Sequence, residues 1–264
     1  MRALHAFPVV AGCALIAAAC SGDSVTEPTI EASSVAHFLP SHAALRGQLQ
    51  QILEDQNGGL GFEMWATILD RDGKVVDVVF SGETRGDQWP GSRVISAQKA
   101  NTANAFSLPS LALSTANLYT AVQPGGSLFG LQHSNPVNTD AAYRGNPANY
   151  GQPNDPMVGE RIGGVNVFGG GLALYSANGT LVGGLGVSGD SSCADHNIAW
   201  RTRNTLNLDH VPAGVSGDAS RPDTIVYDIT PQAGQMPGVS ASGWGHPECS
   251  ADATKVAASL PATQ

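Results

Sequence analysis

Two short stretches in the second half of the chain carry residue types that bind metals or form disulfides. Cys193-Ala-Asp-His196 has the spacing C-x2-H, and His246-Pro-Glu-Cys249 has the mirrored spacing H-x2-C. Two thiolates and two imidazoles would suit a tetrahedral zinc ion. The same two cysteines could instead form a disulfide, which would pin the end of the chain to the helix predicted near residue 192.

The first twenty residues indicate export, which bears on that choice. Arg2 and His5 precede an apolar stretch at residues 7–16 that is too short to span a bilayer as a helix. Small residues then lead to Cys20, which is typical of a bacterial lipoprotein signal whose cysteine becomes the lipidated N-terminus. Ordinary secretion with cleavage nearby is the alternative. We expect residues 21–40 to be a flexible tether to the cell envelope, on its periplasmic or extracellular face.

Cysteine usage favours the disulfide over zinc. Cys13 and Cys20 belong to the predicted signal, so Cys193 and Cys249 are left as an even pair in an oxidising compartment. We therefore predict a Cys193–Cys249 bond, with the zinc set Cys193, His196, His246 and Cys249 as the alternative.

Composition and charge exclude several classes. Charged residues make up only 13%, while there are 32 glycines and 16 prolines, which argues for a loop-rich globular protein rather than a coiled coil or helical bundle. The net charge of −9 has the wrong sign for a nucleic-acid partner or an anionic lipid surface. Any membrane attachment is expected through the lipid anchor alone.

Periodicity predicts an α+β fold with a central antiparallel sheet made of two hairpins. Asn178-Gly179, between two apolar runs, predicts a type I′ turn in the second hairpin. No run of βαβ units is present. The predicted helices cover residues 41–55, 92–106 and 192–206, and the predicted strands cover residues 62–69, 74–80, 172–176, 180–187 and 224–227.

The second hairpin and the preceding helix contain unusually small residues. The strand at 180–187 contains three glycines, which suggests that another backbone, a helix or a flat ligand lies against it. Ala97, Ala100 and Ala103 give the helix at 92–106 a face that can approach a sheet or ligand closely.

Two segments interrupt this pattern. Residues 124–164 are rich in proline, glycine and asparagine, and such a long loop is either functional or a surface insertion that covers a sheet edge. Residues 209–264 are expected to be a loop-rich C-terminal extension stapled back to the domain. We assign the domain itself to residues 41–208.

Three blocks of sequence, in order, resemble the GlcG/HbpS-like haem-binding family. They are residues 69–74, the helix at 96–103, and the glycine-rich hairpin at 169–189. The resemblance implies a profilin-like layered α/β/α domain, often a homo-oligomer, and a binding module for haem or a small molecule. The insertion, the extension and the Ser-Cys-Ala-Asp-His stretch depart from the family pattern.

The resemblance also implies a site on the helix at 96–103, with Lys99 and Thr102 lining it. A haem propionate would pair with a cation such as Lys99 or Arg93. Thr102 could approach the iron, although a hydroxyl is a weak ligand, and His196 is a candidate axial ligand. The alternative is that Lys99 and Thr102 are ordinary helix residues.

The remaining sequence motifs give little evidence for a function. The spacing Gly184-x-Gly186-x-x-Gly189 matches a dinucleotide fingerprint but lies in a hairpin rather than a βαβ unit. There is no Cys-x-x-Cys-His for covalent haem, and no catalytic residues can be assigned. The sequence thus favours an exported, lipid-anchored haem-binding protein. The alternatives are a structural or interaction domain of the envelope, or a haem-degrading enzyme, and enzyme activity stays open with binding favoured.

Overall fold

Two hairpins form a four-stranded antiparallel sheet at the centre of the molecule. The first contains β1 (Trp65–Asp70) and β2 (Val75–Phe80), and the second contains β3 (Gly171–Tyr175) and β4 (Leu181–Ser188). β1 also pairs with β4, which gives the order β2-β1-β4-β3. This confirms the predicted α+β class and central sheet. The computed structural model describes residues 38–264, so the predicted signal with Cys20, and nearly all of the predicted tether, lie outside the described residues.

Helices cover both faces of this sheet and make a layered α/β/α arrangement. α2 packs on one face, while α1 and α5 pack together on the other. Within the described residues, no helix is long and apolar enough to cross a membrane. The helices are α1 (His42–Leu53), α2 (Ser92–Ala105), α3 (Leu131–Ser134), α4 (Thr139–Ala142), α5 (Ser192–Thr205) and α6 (Ala251–Ala258).

Side chains of β4 point alternately to the two faces of the sheet, and their sizes decide how closely the helices on each face approach the strand. Leu185 and Val187 point to the α1/α5 side and join its buried apolar cluster. Gly184 and Gly186 point to α2, where an added Cβ would overlap the carbonyl oxygens of Ala100 and Ser96. The glycines therefore admit a helix backbone onto the strand, which is one of the occupants predicted for that face.

The other face is a conventional apolar core. α1 begins after Ser41, whose hydroxyl accepts a hydrogen bond from the Ala44 amide as an N-cap. Leu45 and Leu49 on α1 are fully buried against the sheet and α5, and Trp200 of α5 joins the same cluster. The helical spacing of these residues is what made α1 predictable.

The turn between β3 and β4 differs from the predicted type I′ turn. Gly179 has φ of 77°, but Asn178 is absent from the described residues with positive φ. The Gly179 amide donates to Ser176 O at 2.7 Å, and Ser176 N donates to Thr180 O at 2.9 Å. The connection is thus a three-residue loop with only its last residue left-handed. The Asn178 side chain accepts from Thr180 N instead of adopting positive φ.

One sequence prediction in the second half was wrong. Residues 224–227 form no strand. A hairpin of β5 (Ile229–Gln232) and β6 (Gln235–Ser240) follows instead, and α6 comes after it. These elements are short, and their glycine- and proline-rich surroundings hide their periodicity.

The long loop and the segment that leads into the C-terminal extension each cover one position at an edge of the sheet. On the β2 side, Val75 N donates to Glu160 O and Gly159 N donates to Val75 O. On the β3 side, Tyr175 N donates to Leu208 O and pairs with Asp209. Covered edges prevent pairing with other chains at these positions.

Glycine 186 offers a test of the helix–sheet approach. Gly186→Ala would place a methyl group over Ser96 O and 2.6 Å from Ala100 N, so we expect a loss of about 3 kcal/mol in the free energy of unfolding. Gly47→Ala is the matched control, because its added Cβ meets nothing within 4 Å and it lies inside α1. It should stabilise by roughly 0.5–1 kcal/mol. Urea denaturation measures the free energy of unfolding of both variants. Equal changes in the two variants would contradict the close approach of α2 to β4.

Candidate functional site

Lys99 lies in the middle of α2 and forms a buried ion pair across to α5. The residue is 1% exposed. Nζ donates to Asp195 Oδ2 at 2.6 Å and to the carbonyl of Val187, at the end of β4, at 3.1 Å. Gly170 makes room, since a Cβ there would lie 3.2 Å from Nζ. The ammonium therefore has protein partners and joins the two layers of helices.

Asp195 holds the other end of this pair. Its second oxygen, Oδ1, accepts hydrogen bonds from the amides of Gly189 and Asp190. Burial raises the pKa of Asp195 to about 6, against the attraction of Lys99. The carboxyl group is the main contact that sequence reasoning missed. Asp195 lies inside Cys193-Ala-Asp-His196, which was considered as part of a zinc site, and no regular spacing in the sequence connects it to Lys99.

His196 is fully buried on the next position of α5. Its Nε2 accepts a hydrogen bond from the Ile225 amide at 3.1 Å, so the ring is neutral with its proton on Nδ1. Nδ1 is buried without a partner among the described residues. Burial, followed by the positive charge of Arg203, lowers the pKa of His196 to about 3. Neither ring nitrogen of His196 is therefore free to bind iron, because Nε2 accepts the hydrogen bond from the Ile225 amide and Nδ1 carries the ring proton.

Thr102 and Arg93 lie on other parts of α2 and face the insertion and the segment after it. Thr102 Oγ1 donates to Gln98 O and accepts from Asn166 N, and the residue is fully buried. The Arg93 guanidinium is paired with Asp155 and lies 3.7 Å from the ring centroid of Tyr150.

The structure thus brings Lys99 and His196 to one region and leaves Thr102 and Arg93 apart from it. Gly169 and Gly170 mark that region, because added Cβ atoms would meet His196 and Asp195 respectively. Asp155 was also missed, and no short-range signal connects it to Arg93, which lies 62 positions earlier.

Cys193 and Cys249 form the predicted disulfide, with an S–S distance of 2.02 Å and Cα atoms 5.9 Å apart. Bonded sulfurs are not the thiolates that the zinc alternative requires. His246 lies near both sulfurs, but His196 does not join that group. On the chain-entropy model, a loop of this length contributes about 4 kcal/mol of stability.

The four residues that the resemblance suggested for haem do not form an open site. All four are at most 2% exposed and have their hydrogen-bonding groups taken up within the chain, apart from His196 Nδ1. Three cavities in the described part of the chain, of about 160, 330 and 380 Å³, are lined by other residues. Lys99, Thr102, Arg93 and His196 therefore do not fit a haem in this conformation.

The buried histidine has a consequence for stability against pH. The folded state holds His196 neutral down to a pKa of about 3, whereas the unfolded chain takes up a proton near 6.5. Its contribution to stability is therefore present above pH 6.5 and is lost as the pH falls toward 3. In His196→Gln, the slope of unfolding free energy between pH 6 and 4 should fall by about 1.4 kcal/mol per pH unit. Urea titrations at several pH values measure this, with the exposed His133→Gln as control. An unchanged slope would contradict the burial.

Several solved structures are similar to this chain. Among solved structures, the crystal structure of a PduOC:heme complex is 26% identical, covers 66% of this chain and 94% of its own, and has a TM-score of 0.42. Klebsiella pneumoniae protein ORFY is 23% identical, with 63% and 90% covered and a TM-score of 0.42. A double mutant of Streptomyces reticuli HbpS is 18% identical, with 75% and 99% covered and a TM-score of 0.41.

The family comparison gives the range of residues that match. No curated protein matches the chain significantly. Residues 45–203 match the family described as "Haem degrading protein HbpS-like". This range begins in α1, ends in α5 and includes all four strands of the central sheet. Because the match spans more than half of the sequence, the chain belongs to the HbpS-like family.

Proposed function

We propose that this protein binds haem in the bacterial cell envelope, to which a lipid on Cys20 attaches it. Membership of the HbpS-like family, across residues 45–203, is the observation that supports haem as the ligand. The apolar segment and small residues before Cys20 support export and lipidation. The proposal treats the protein as a binding module, and haem degradation is a separate outcome of its test.

A pair of exposed aromatic rings is where we place the haem. Phe62 is 39% exposed and Trp89 is 55% exposed, with ring centroids 5.4 Å apart. Leu60, two positions before Phe62 in the chain, is 71% exposed. Aromatic and apolar side chains are the usual lining of a site for a flat organic ligand. This surface is accessible without displacing the partners of Lys99, Thr102, Arg93 or His196.

The backbone that presents these rings is held in place. The Asp190 carboxylate accepts hydrogen bonds from the amides of Leu60, Gly61 and Phe62. Trp65 Nε1 donates to the carbonyl oxygen of Trp89 at 3.1 Å. A fixed surface has less conformational entropy to lose when a ligand binds.

A second candidate is an interaction domain of the envelope without haem. The complete burial of Thr102 and the Lys99–Asp195 pair supports it, since helix α2 then works as a structural element. The disulfide also closes the C-terminal extension onto α5.

Titration with haemin separates these functions. We expect the full chain to give a saturable Soret shift with quenching of tryptophan fluorescence. Trp89→Ala should weaken haemin binding about tenfold, through the loss of about 1.4 kcal/mol of ring contact. Phe129→Ala, another exposed aromatic residue at 61%, is the control and should leave binding unchanged.

Other results would change the assignment. The absence of a Soret shift would favour the interaction domain. If Trp89→Ala and the unaltered protein bind haemin with equal affinity, the haem binds somewhere other than the aromatic pair. Loss of the Soret band on adding a reductant or peroxide, beyond the loss seen with free haemin, would identify haem degradation.

Lipid attachment has its own test. In bacteria fed a labelled fatty acid, Cys20→Ser should abolish labelling of the protein, because the thiol is the acceptor of the lipid. Cys13→Ser is the matched control and should retain the label. Labelling that depends on Cys13 would relocate the anchor, and an unlabelled parent protein would indicate ordinary secretion.

A further inference from the structure

Ser192 and His246 form a hydrogen-bonded pair where α5 begins. Ser192 is the first residue of the helix, and its Oγ lies 2.8 Å from His246 Nε2. His246 Nδ1 lies 2.7 Å from the carbonyl oxygen of Pro247. A carbonyl oxygen only accepts, so Nδ1 must carry the ring proton and Nε2 must be the acceptor. The Ser192 hydroxyl therefore donates to the imidazole.

We propose that Ser192 is a nucleophile and His246 its general base, in a site that accepts small carboxylic esters. A hydroxyl nucleophile, a base within hydrogen-bond reach, and a third group that orients the base make up the arrangement of serine hydrolases. Here the Pro247 carbonyl takes the orienting position that a carboxylate takes in a triad. The site uses none of the residues assigned above to haem.

Several contacts hold His246 in this position. Its backbone amide donates to Val226 O at 2.8 Å, and Thr120 Oγ1 donates to Gly245 O at 2.6 Å. The Tyr119 ring lies 5.0 Å from the imidazole, centroid to centroid. The Cys193–Cys249 bond joins the residue after Ser192 to the segment that carries His246. The disulfide thus fixes the nucleophile and the base relative to one another.

The surroundings of Ser192 suit a developing negative charge. Gly169 N donates to Ser192 Oγ at 2.7 Å, which would stabilise the alkoxide as it forms. The amide of Ser192 itself, in the first turn of α5, has no hydrogen-bond partner in the described part of the chain. It is available to the oxygen of a bound carbonyl, at the positive end of the helix dipole.

The protonation state of His246 and the exposure of Ser192 also fit the proposed roles of base and nucleophile. Burial lowers the pKa of His246 to about 4, so the imidazole is neutral at pH 7 and can accept a proton, as a weaker base than an exposed histidine. Ser192 is only partly buried, whereas His246 is 3% exposed. Phe168, next to Gly169, is 46% exposed and favours an apolar acyl group.

The reaction is a two-step acyl transfer to water. Ser192 Oγ bonds to the ester carbonyl carbon as its proton passes to His246 Nε2. The ester C–O bond breaks, and the leaving alkoxide takes that proton as an alcohol. Water then attacks the acyl-serine with His246 again accepting the proton, which returns to Ser192 as the carboxylic acid leaves.

Covalent labelling tests the nucleophile directly. The full chain is treated with a fluorophosphonate, and the modified peptide is identified by mass spectrometry, with p-nitrophenyl acetate hydrolysis measured in parallel. We expect one label on Ser192 and an initial burst of p-nitrophenol. His246→Gln keeps a hydrogen-bond acceptor near the position of Nε2 but cannot take the proton from Ser192. The rate of labelling and the rate of ester hydrolysis should therefore both fall by roughly 100-fold or more.

Control variants separate chemistry from folding. Ser192→Ala should lose the label while it keeps a single cooperative melting transition and a lack of free thiols. Ser110→Ala removes an exposed hydroxyl far along the chain and should leave labelling unchanged. An unlabelled parent protein, a label elsewhere, or a His246→Gln variant that labels at the parent rate would overturn the proposal.

Discussion

The close approach between β4 and α2 is the constraint from which the rest of the structure follows. Two glycines on one side of β4 let the carbonyls of Ser96 and Ala100 lie directly on the strand. Because α2 is held there, its long side chains cannot turn toward the sheet and must find partners at the edges of the layer. Lys99 reaches α5, and Arg93 reaches the insertion.

Each of these side chains brings a charge into the interior, and a buried charge is costly without a partner. The pairs Lys99–Asp195, Arg93–Asp155 and Arg203–Asp223 supply those partners. Two of the carboxylates come from segments outside the simple family pattern, since Asp155 lies in the insertion and Asp223 in the extension. These segments therefore complete the core and are part of the folded domain.

The sequence predicted the features that depend on local periodicity. The main helices and both hairpins of the central sheet followed from apolar spacing and turn residues, and the disulfide followed from cysteine count and compartment. The sequence could not predict which face of α2 was covered, because Lys99 and Asp195 are 96 positions apart. The pairing of Ser192 with His246 was hidden for the same reason. Both depend on tertiary contacts that no spacing rule encodes.

Coverage of both sheet edges restricts how copies of this chain can associate. Residues 159–160 occupy the edge at Val75, and residues 208–209 occupy the edge at Tyr175. A second copy therefore finds no open ladder of amides and carbonyls at these positions. Where these two positions meet another copy, the contact would have to be made by side chains rather than by a sheet continued across subunits. The same closure would guard the protein against strand exchange between copies at these two positions.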